Sequence, residues 1–133
     1  CWPREHWLAL AQRLVSLGHA IEVVVGPVEI ERDDPRIWPW PDDSQNPVTF
    51  VVEEQPVRLA KRLALGRVFV GNDSGPTHLA AMLGVPTVAV FLATDSTVWA
   101  PVGAHVRVVG AASTLPKVGD VERSVHEALA WCG

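Results

Sequence analysis

Short apolar runs alternate with amphipathic stretches along this chain. Five runs have the length and composition of buried strands: Ile21–Val25, Val48–Val52, Arg67–Gly71, Thr87–Phe91 and His105–Val109. Helical periodicity is present at Pro3–Leu17, at Pro56–Ala64, at Pro76–Leu83, and from Val118 or Asp120 to Trp131. This alternation predicts an α/β domain built on a parallel sheet.

In one segment, residues 32–47, the apolar residues follow neither a helical nor a strand period. It contains four prolines, four aspartates and two tryptophans, Trp38 and Trp40, and the composition predicts a long irregular loop. Two interpretations stay open, because such a loop could cover the domain's own core or contact a partner. If it is an exposed apolar surface, another domain or chain is expected to cover it.

A polar turn follows the third strand. Gly71 and Asn72 are expected to end the strand, and residues 73–75 are of the types found at helix N-caps. Pro76 suits the first turn of the next helix. A helix that starts at the carboxyl end of a parallel strand directs its free amides and the positive end of its dipole at the usual ligand crevice.

The residue types in this turn fit an anionic ligand. Ser74 and Gly75 have little side-chain bulk, so a phosphate could approach the backbone, while Asp73 could accept hydrogen bonds from a sugar and His78 could donate one. A second polar turn, Thr94-Asp95, follows the next strand at the same sheet edge. The alternative is that Asp73 or Ser74 only caps the helix and that His78 is an ordinary surface histidine.

Composition narrows the class of protein. The chain of 133 residues fits one domain, residues 1–133, and its 48% apolar content is enough for a core. The formal charge of −4 and eleven scattered basic residues argue against a nucleic-acid or anionic-membrane surface. No apolar run approaches the roughly 18 residues of a transmembrane helix. Cys1 and Cys132 lack metal-binding spacing, which indicates a reduced cytoplasmic protein, with a terminal disulfide as the alternative.

Common catalytic signatures are absent from the sequence. It has no phosphate loop, no dinucleotide-binding glycine fingerprint, no nucleophile elbow and no His-Glu-x-x-His. The five histidines are too dispersed to indicate a metal site. The acidic pair Glu53-Glu54 precedes a predicted helix and is interpreted as first-turn partners of its dipole.

Three stretches together resemble a known family. Residues 71–91, which read GNDSGPTHLAAMLGVPTVAVF, with Thr94-Asp95 after them, look like the carboxyl-terminal half of the ADP-heptose:lipopolysaccharide heptosyltransferases, glycosyltransferase family 9. The opening Trp2–Ala11 is similar to that family's entry helix, and Gly26–Glu29 resembles its next turn. The resemblance covers nearly the whole chain apart from residues 32–47.

The resemblance implies a fold and a set of binding residues. The family has the GT-B fold, in which the carboxyl-terminal of two Rossmann-like domains holds the nucleotide sugar, with helices on both faces of its sheet. By matching position, the implied donor-binding residues are Asp73, Ser74, Gly75 and His78 for the diphosphate and sugar, Glu29 for the ribose, Glu54 for the base, and Thr94 and Asp95 for the sugar. Neither a metal nor a cofactor is expected, because a helix dipole and basic groups stabilise the departing diphosphate.

The chain also departs from the family pattern. Leu92–Ser96 stands where the family usually has Gly-Pro-Thr-Asp-Pro, and a helix after the Gly26–Glu29 turn is expected to be replaced by the loop. The family's first strand, its phosphate loop and the acceptor domain with the catalytic base would lie upstream of Cys1. In a sheet of order 3-2-1-4-5-6 the central position is then expected to be vacant. We therefore expect poor stability or an oligomer, and no turnover from this chain alone.

The leading hypothesis from the sequence is the donor-binding part of a glycosyltransferase. It would move a heptose-like sugar from a nucleotide-diphosphate sugar, ADP-heptose for example, to a saccharide or lipid-linked acceptor such as lipopolysaccharide core. Its partners would be these substrates and the missing amino-terminal domain or another chain, in the cytoplasm or at the inner membrane face. Two rivals stay open, a non-catalytic nucleotide-sugar binding module and a related sugar-nucleotide epimerase.

Overall fold

A computed structural model describes residues 2–72, 74–90, 105–110 and 116–130, and only the backbone of Val28. The helices of this part are α1 (Arg4–Ser16), α2 (Pro27–Asp33), α3 (Pro56–Leu63), α4 (Gly75–Met82) and α5 (Val118–Ala130), and a 3₁₀ turn spans Pro35–Ile37. The strands are β1 (Ile21–Val25), β2 (Val48–Val52), β3 (Phe69–Asn72), β4 (Thr87–Val90) and β5 (Val106–Val109). The predicted alternation of strands and helices is confirmed.

The described strands form two parallel groups. β1 pairs with β2 from Ile21↔Val48 to Val25↔Val52. β4 lies between β3 and β5. Its pairing with β3 begins at Phe69↔Thr87, and its pairing with β5 begins at Thr87↔Val106. No described pairing joins β1 to β3. The order is therefore β2-β1 and β3-β4-β5, with the break at the position where the sequence predicted a vacant strand.

Helices pack on both faces of these strands. On one face α1 and α5 build a core with β4, formed by the buried Trp2, Leu10, Val88, Val90, Val121, Val125 and Ala128. On the other face Leu63 of α3, Ala80 of α4 and Val85 form a second cluster, against which Val24 and Phe69 pack. Neighbours in a strand point to opposite faces, so Val70 of β3 packs on the first cluster. The predicted α/β class with helices on both faces is confirmed.

Two sequence expectations about local structure are wrong. Gly71 and Asn72 do not end the third strand, because both pair with β4, opposite Ala89 and Val90. The helix expected to be replaced after Gly26 is present as the short α2, with Pro27 in its first turn. Pro27 has a φ suited to a helix start, and the acidic Glu29 in the first turn favours the helix dipole.

The segment of residues 32–47 is more ordered than its composition predicted. Its start belongs to α2 and to the 3₁₀ turn, which Asp34 caps by accepting from the Arg36 amide at 3.0 Å. The rings of Trp38 and Trp40 stack with centroids 5.6 Å apart, and the Trp40 ring meets Phe50 of β2 at 6.4 Å. Both tryptophans are half-buried, and neither belongs to the two core clusters. Contact with another domain or chain stays a prediction.

Several expectations fall on positions outside the described residues. These are Cys1, Asp73, Phe91, the Leu92–Ser96 stretch with its Thr94-Asp95 turn, Trp131 and Cys132. None of the described helices has the length and apolar character needed to span a bilayer.

Candidate functional site

The turn between β3 and α4 is held by hydroxyl groups. Thr77 is fully buried, and its Oγ1 donates to the carbonyl oxygen of Asn72 at 2.5 Å. The same Oγ1 lies 3.1 Å from the hydroxyl of Ser74, so one oxygen joins the end of the strand to the start of the helix. The turn is therefore fixed by side chains as well as by the strand and helix that flank it.

Gly71 makes this arrangement possible. A Cβ at this position would lie 2.7 Å from Cε1 of Phe69 and closer still to Oγ1 of Thr77. Atoms at such distances clash, so a side chain at residue 71 would displace the hydroxyl that holds the turn. Glycine is required here by close packing.

The first turn of α4 is exposed to solvent at Gly75, whereas Thr77 is buried. Ser74 is the N-cap residue in extended conformation, yet its hydroxyl caps none of the helix amides. Pro76 has no amide and the His78 amide bonds to the Ser74 carbonyl, which leaves the amides of Gly75 and Thr77 as donors of this turn without a described acceptor. A Cβ placed on Gly75 would meet no heavy atom within 4 Å. The interpretation of Ser74 as an ordinary side-chain cap is wrong.

The start of α1 lies beside this turn. The backbone amide of Trp2 donates to Oδ1 of Asn72 at 3.2 Å, and the Trp2 indole Nε1 donates to the Pro116 carbonyl at 3.0 Å. His6 packs on Trp2 with ring centroids 5.3 Å apart, and its Nδ1 is buried without a hydrogen-bond partner in the described part of the chain. Thus α1 begins at the same edge of the sheet as α4.

The two predicted carboxylates lie at the ends of other strands. Glu29 follows β1 in the first turn of α2, and its Oε2 folds back over Gly26, close enough that a Cβ there would lie 2.7 Å away. Glu54 follows β2 and is exposed. Among the described residues, neither carboxylate makes a hydrogen bond or ion pair. Both therefore lie at the carboxyl edge, but no described contact joins either of them to the β3–α4 turn.

The interpretation of Glu53-Glu54 as first-turn dipole partners is wrong. Residues 53 and 54 precede α3, whose first turn contains no acidic residue. Its N-cap is Gln55, whose side chain accepts from the Arg58 amide at 2.9 Å, while Glu53 accepts from the Gln55 amide at 3.0 Å. Gln55 therefore caps α3, and Glu54 has no capping role.

Of the other predicted site residues, only His78 is described. It is half-buried in α4 and has an interaction partner, so it is not a free donor in this structure. Asp73, Thr94 and Asp95 lie outside the described residues. No group of three or more metal-ligating side chains occurs in the described ranges. A cavity of about 370 Å³ lies elsewhere, between the segment of Trp38 and Trp40 and strand β2.

Comparison with known proteins then identifies the family. The sequence profile described as Glycosyltransferase family 9 (heptosyltransferase) matches residues 1–127, nearly the whole chain. The chain belongs to glycosyltransferase family 9. The resemblance inferred from residues 71–91 is confirmed. No curated protein matched the chain.

Solved structures share the fold of this family 9 chain. It superposes on a family 9 glycosyl transferase of Veillonella parvula DSM 2008 with TM-score 0.81 and 21% identity, over 98% of this chain. It superposes on E. coli ADP-heptose lps heptosyltransferase II with TM-score 0.82 and 21% identity, again over 98%. E. coli heptosyltransferase WaaC with ADP gives TM-score 0.75 and 26% identity over 96%. The chain spans about two fifths of each of these proteins, 42%, 42% and 39%.

The sequence pattern does not single out the residues that shape the site in this family 9 chain. It places Thr77 only within a helix and Asn72 only at the end of a strand. A signal was available, because a threonine in the first turn of a helix can return its hydroxyl to the backbone just before that helix. The packing requirement at Gly71 had no such signal, since it depends on the rotamers of Thr77 and Phe69.

Proposed function

We propose that this chain binds the donor in a glycosyltransferase that moves a sugar from a nucleoside-diphosphate sugar to a saccharide acceptor. The observation that carries the proposal is the start of α4, where Gly75 is exposed and the Ser74 side chain caps no helix amide. Amides at a helix start and the positive end of the helix dipole are a common site for phosphate. Family membership and the E. coli heptosyltransferase named with ADP support a diphosphate as the ligand.

The roles follow from position along the carboxyl edge. The exposed Gly75 amide would bind a diphosphate oxygen, with His78 in the same first turn and Asp73 accepting from sugar hydroxyls. Glu29 at the end of β1 would accept from the ribose. Glu54 at the end of β2 is proposed for the base, and Thr94 and Asp95 for the transferred sugar.

In the reaction the bond between the anomeric carbon and the diphosphate breaks while an acceptor hydroxyl oxygen bonds to that carbon. The acceptor proton passes to a base outside this chain. Negative charge grows on the departing diphosphate, and fixed amides stabilise such charge without reorganisation. Neither a metal nor a cofactor is needed in this proposal.

Gly75→Ala tests the site without harming the fold. The new methyl group meets no protein atom, and alanine stabilises helices relative to glycine, by up to about 1 kcal/mol. A bound phosphate at the Gly75 amide would meet it, so ADP affinity should fall by about 1.5–3 kcal/mol, the value of a hydrogen bond to a charged group. Calorimetric titration with ADP and an ADP-sugar, beside thermal unfolding, measures both effects.

Gly119→Ala is the matched control. It makes the same change in the first turn of α5, where a Cβ would have an ordinary contact of 3.7 Å with Nη1 of Arg13. Its ADP affinity should equal that of the unaltered chain. Asp73→Ala should also weaken sugar-nucleotide binding by about 1.5–3 kcal/mol. Unchanged ADP affinity in both Gly75→Ala and Asp73→Ala would contradict the proposed site.

Product analysis separates this proposal from its rivals. A transferase gives a new glycoside and free nucleoside diphosphate, while an epimerase returns a nucleotide sugar of altered stereochemistry. Binding without either product, in the presence of an acceptor domain, would instead favour a non-catalytic binding module.

A further inference from the structure

The cavity of about 370 Å³ beside β2 has the size of a small-molecule site. Such sites usually measure about 300–1,000 Å³ and combine mostly apolar walls with a few polar groups. The lining that bears on ligand chemistry consists of three aromatic and three charged residues, namely Trp38, Trp40, Phe50, Arg36, Asp42 and Asp43. None of them belongs to the β3–α4 turn, so the cavity and the proposed diphosphate site are separate places on the chain.

The aromatic wall of the cavity is held rigid by its own contacts. The Trp40 indole Nε1 donates to the Pro35 carbonyl at 2.6 Å, and the Trp40 ring stacks on Trp38 with centroids 5.6 Å apart. Phe50 meets the Trp40 ring at 6.4 Å with 62° between the ring planes, and keeps 36% of its surface exposed. A wall fixed in this way offers an apolar surface to a ligand at little ordering cost.

Hydrogen-bond acceptors and a donor lie beside this wall. Oδ1 of Asp43 accepts from two backbone amides of its own turn at 2.9 and 3.2 Å, which fixes the carboxylate and leaves Oδ2 with no described partner. Asp42 is exposed and makes no described hydrogen bond or ion pair. Arg36 binds Asp34 through Nε and Nη2, so its Nη1 remains a donor without an acceptor among the described residues.

This lining favours a neutral ligand that carries hydroxyl groups. The carboxylates of Asp42 and Asp43 repel an anion, and Arg36 opposes a cation in the same cavity. A hydroxyl group suits both kinds of charge, since it donates to a carboxylate and accepts from a guanidinium. The aromatic wall requires an apolar face on the same molecule. A pyranose ring has both features, because hydroxyl groups surround a face of C–H groups.

We propose that the cavity beside β2 binds a saccharide, with the C–H face of one sugar ring against Trp40 and Phe50. The carboxylates of Asp42 and Asp43 accept from its hydroxyl groups, and Nη1 of Arg36 donates to one of its oxygens. This site is independent of the proposed nucleotide site, because the cavity and the β3–α4 turn share no residue.

Titration with neutral sugars tests the site. The methyl glycosides of glucose, galactose, mannose and N-acetylglucosamine are added to the chain, and backbone amide shifts are followed by NMR beside tryptophan fluorescence. At least one of these sugars should shift the amides of residues 36–50 and leave those of the β3–α4 turn unchanged. ADP should not compete with it. A panel in which no sugar shifts residues 36–50 would overturn the proposal.

Two variants with matched controls locate the bound sugar. Asp42→Ala should weaken its affinity about tenfold, the effect of one lost hydrogen bond to a charged group, at an unchanged unfolding temperature. Phe50→Leu keeps an apolar side chain without the flat ring and should weaken the affinity about threefold to tenfold, the range of one aromatic contact. Glu31→Ala, an exposed acid outside the cavity, and Val52→Ala, next on the same face of β2, should bind as the unaltered chain does.

Charged probes distinguish a sugar site from the alternatives. Spermidine and inorganic phosphate should leave residues 36–50 unchanged, and the sugar affinity should not depend on salt concentration. Binding of spermidine without any sugar would make the cavity a cation site and contradict the proposal. So would a sugar that Asp42→Ala and Phe50→Leu bind as tightly as their controls. Gly75→Ala should keep the sugar affinity while losing ADP affinity, so the two proposed sites can fail separately.

Discussion

At the scale of single residues, Thr77 determines the shape of the candidate site. Its hydroxyl contacts the Ser74 hydroxyl at 3.1 Å, and the Ser74 side chain caps none of the helix amides. Gly75, next to Ser74, is exposed to solvent. The Thr77 hydroxyl also bonds to Asn72, which also accepts from Trp2, so the start of α1 is tied to the turn.

Two substitutions of Thr77 should distinguish the contribution of its hydroxyl to stability from the contribution of its methyl group. Thr77→Val keeps the volume but removes the part-buried hydrogen bond to the Asn72 carbonyl, and should lower the free energy of unfolding by about 1–3 kcal/mol. Thr77→Ser keeps the hydroxyl and should cost less, about 1 kcal/mol for the lost methyl group. Urea denaturation followed by tryptophan fluorescence measures both. A serine variant as unstable as the valine variant would show that the methyl packing matters more than the bond.

At the scale of elements, a helix cap and an ion pair stabilise part of residues 32–47, the segment that the composition predicted to be irregular. Asp34 caps the 3₁₀ turn and pairs with Arg36, with Nη2 and Oδ2 2.8 Å apart. The turn then leads to the stacked Trp38 and Trp40, and the Trp40 indole donates to the Pro35 carbonyl at 2.6 Å. One half-buried carboxylate thus lies at the start of an aromatic cluster.

The stability that this cap contributes should decrease as the pH becomes acidic. The Arg36 side chain, and then its amide, hydrogen-bond to Asp34 and hold the pKa of that carboxyl below its ordinary value. A carboxyl whose folded pKa is lowered contributes stability above its unfolded pKa and loses it as the pH falls through the folded pKa. The difference in stability between the unaltered chain and Asp34→Ala should therefore be present at neutral pH and shrink below about pH 4.

Thermal unfolding across the acid range, followed by fluorescence of the tryptophans, checks this difference. Asp42→Ala is a matched control, since Asp42 is an exposed aspartate of the same segment that makes no described hydrogen bond or ion pair. A stability difference for Asp34→Ala that is independent of pH would contradict the role of the charge.

Elements could be predicted where a periodic pattern or a backbone-specific residue fixes them. β1 and β2 match their predicted bounds, and Gly84, with φ of 81°, follows the end of α4 as expected for a glycine C-cap. The errors are at places where tertiary contacts decide. Gly71 joins β3 because β4 pairs with it, and Gln55 takes the cap that the acidic pair seemed to offer. Likewise, the β3–α4 turn could be located from the sequence, but the Thr77 hydroxyl that fixes its conformation could not.

At the scale of the whole molecule, the parallel strands bring residues from distant parts of the chain to one edge. Glu29, Glu54 and the β3–α4 turn follow β1, β2 and β3 respectively, although β1 and β3 are not paired. The break in the described pairing lies between the strand that ends before Glu29 and the strand that ends at Asn72. The proposed ribose and diphosphate residues are therefore carried by two separately paired groups of strands.

This geometry makes a prediction about the chain by itself. Residues 1–133 should bind ADP, because the exposed Gly75 belongs to one short turn that the Thr77 hydroxyl holds by its bond to Asn72. They should not transfer sugar, since the chain spans about two fifths of the family 9 structures it resembles. Calorimetry with ADP and mass spectrometry of an acceptor mixed with ADP-heptose measure the two activities. Binding without a glycoside product is the expected result, and a glycoside made by this chain alone would show that the acceptor site and base lie within it.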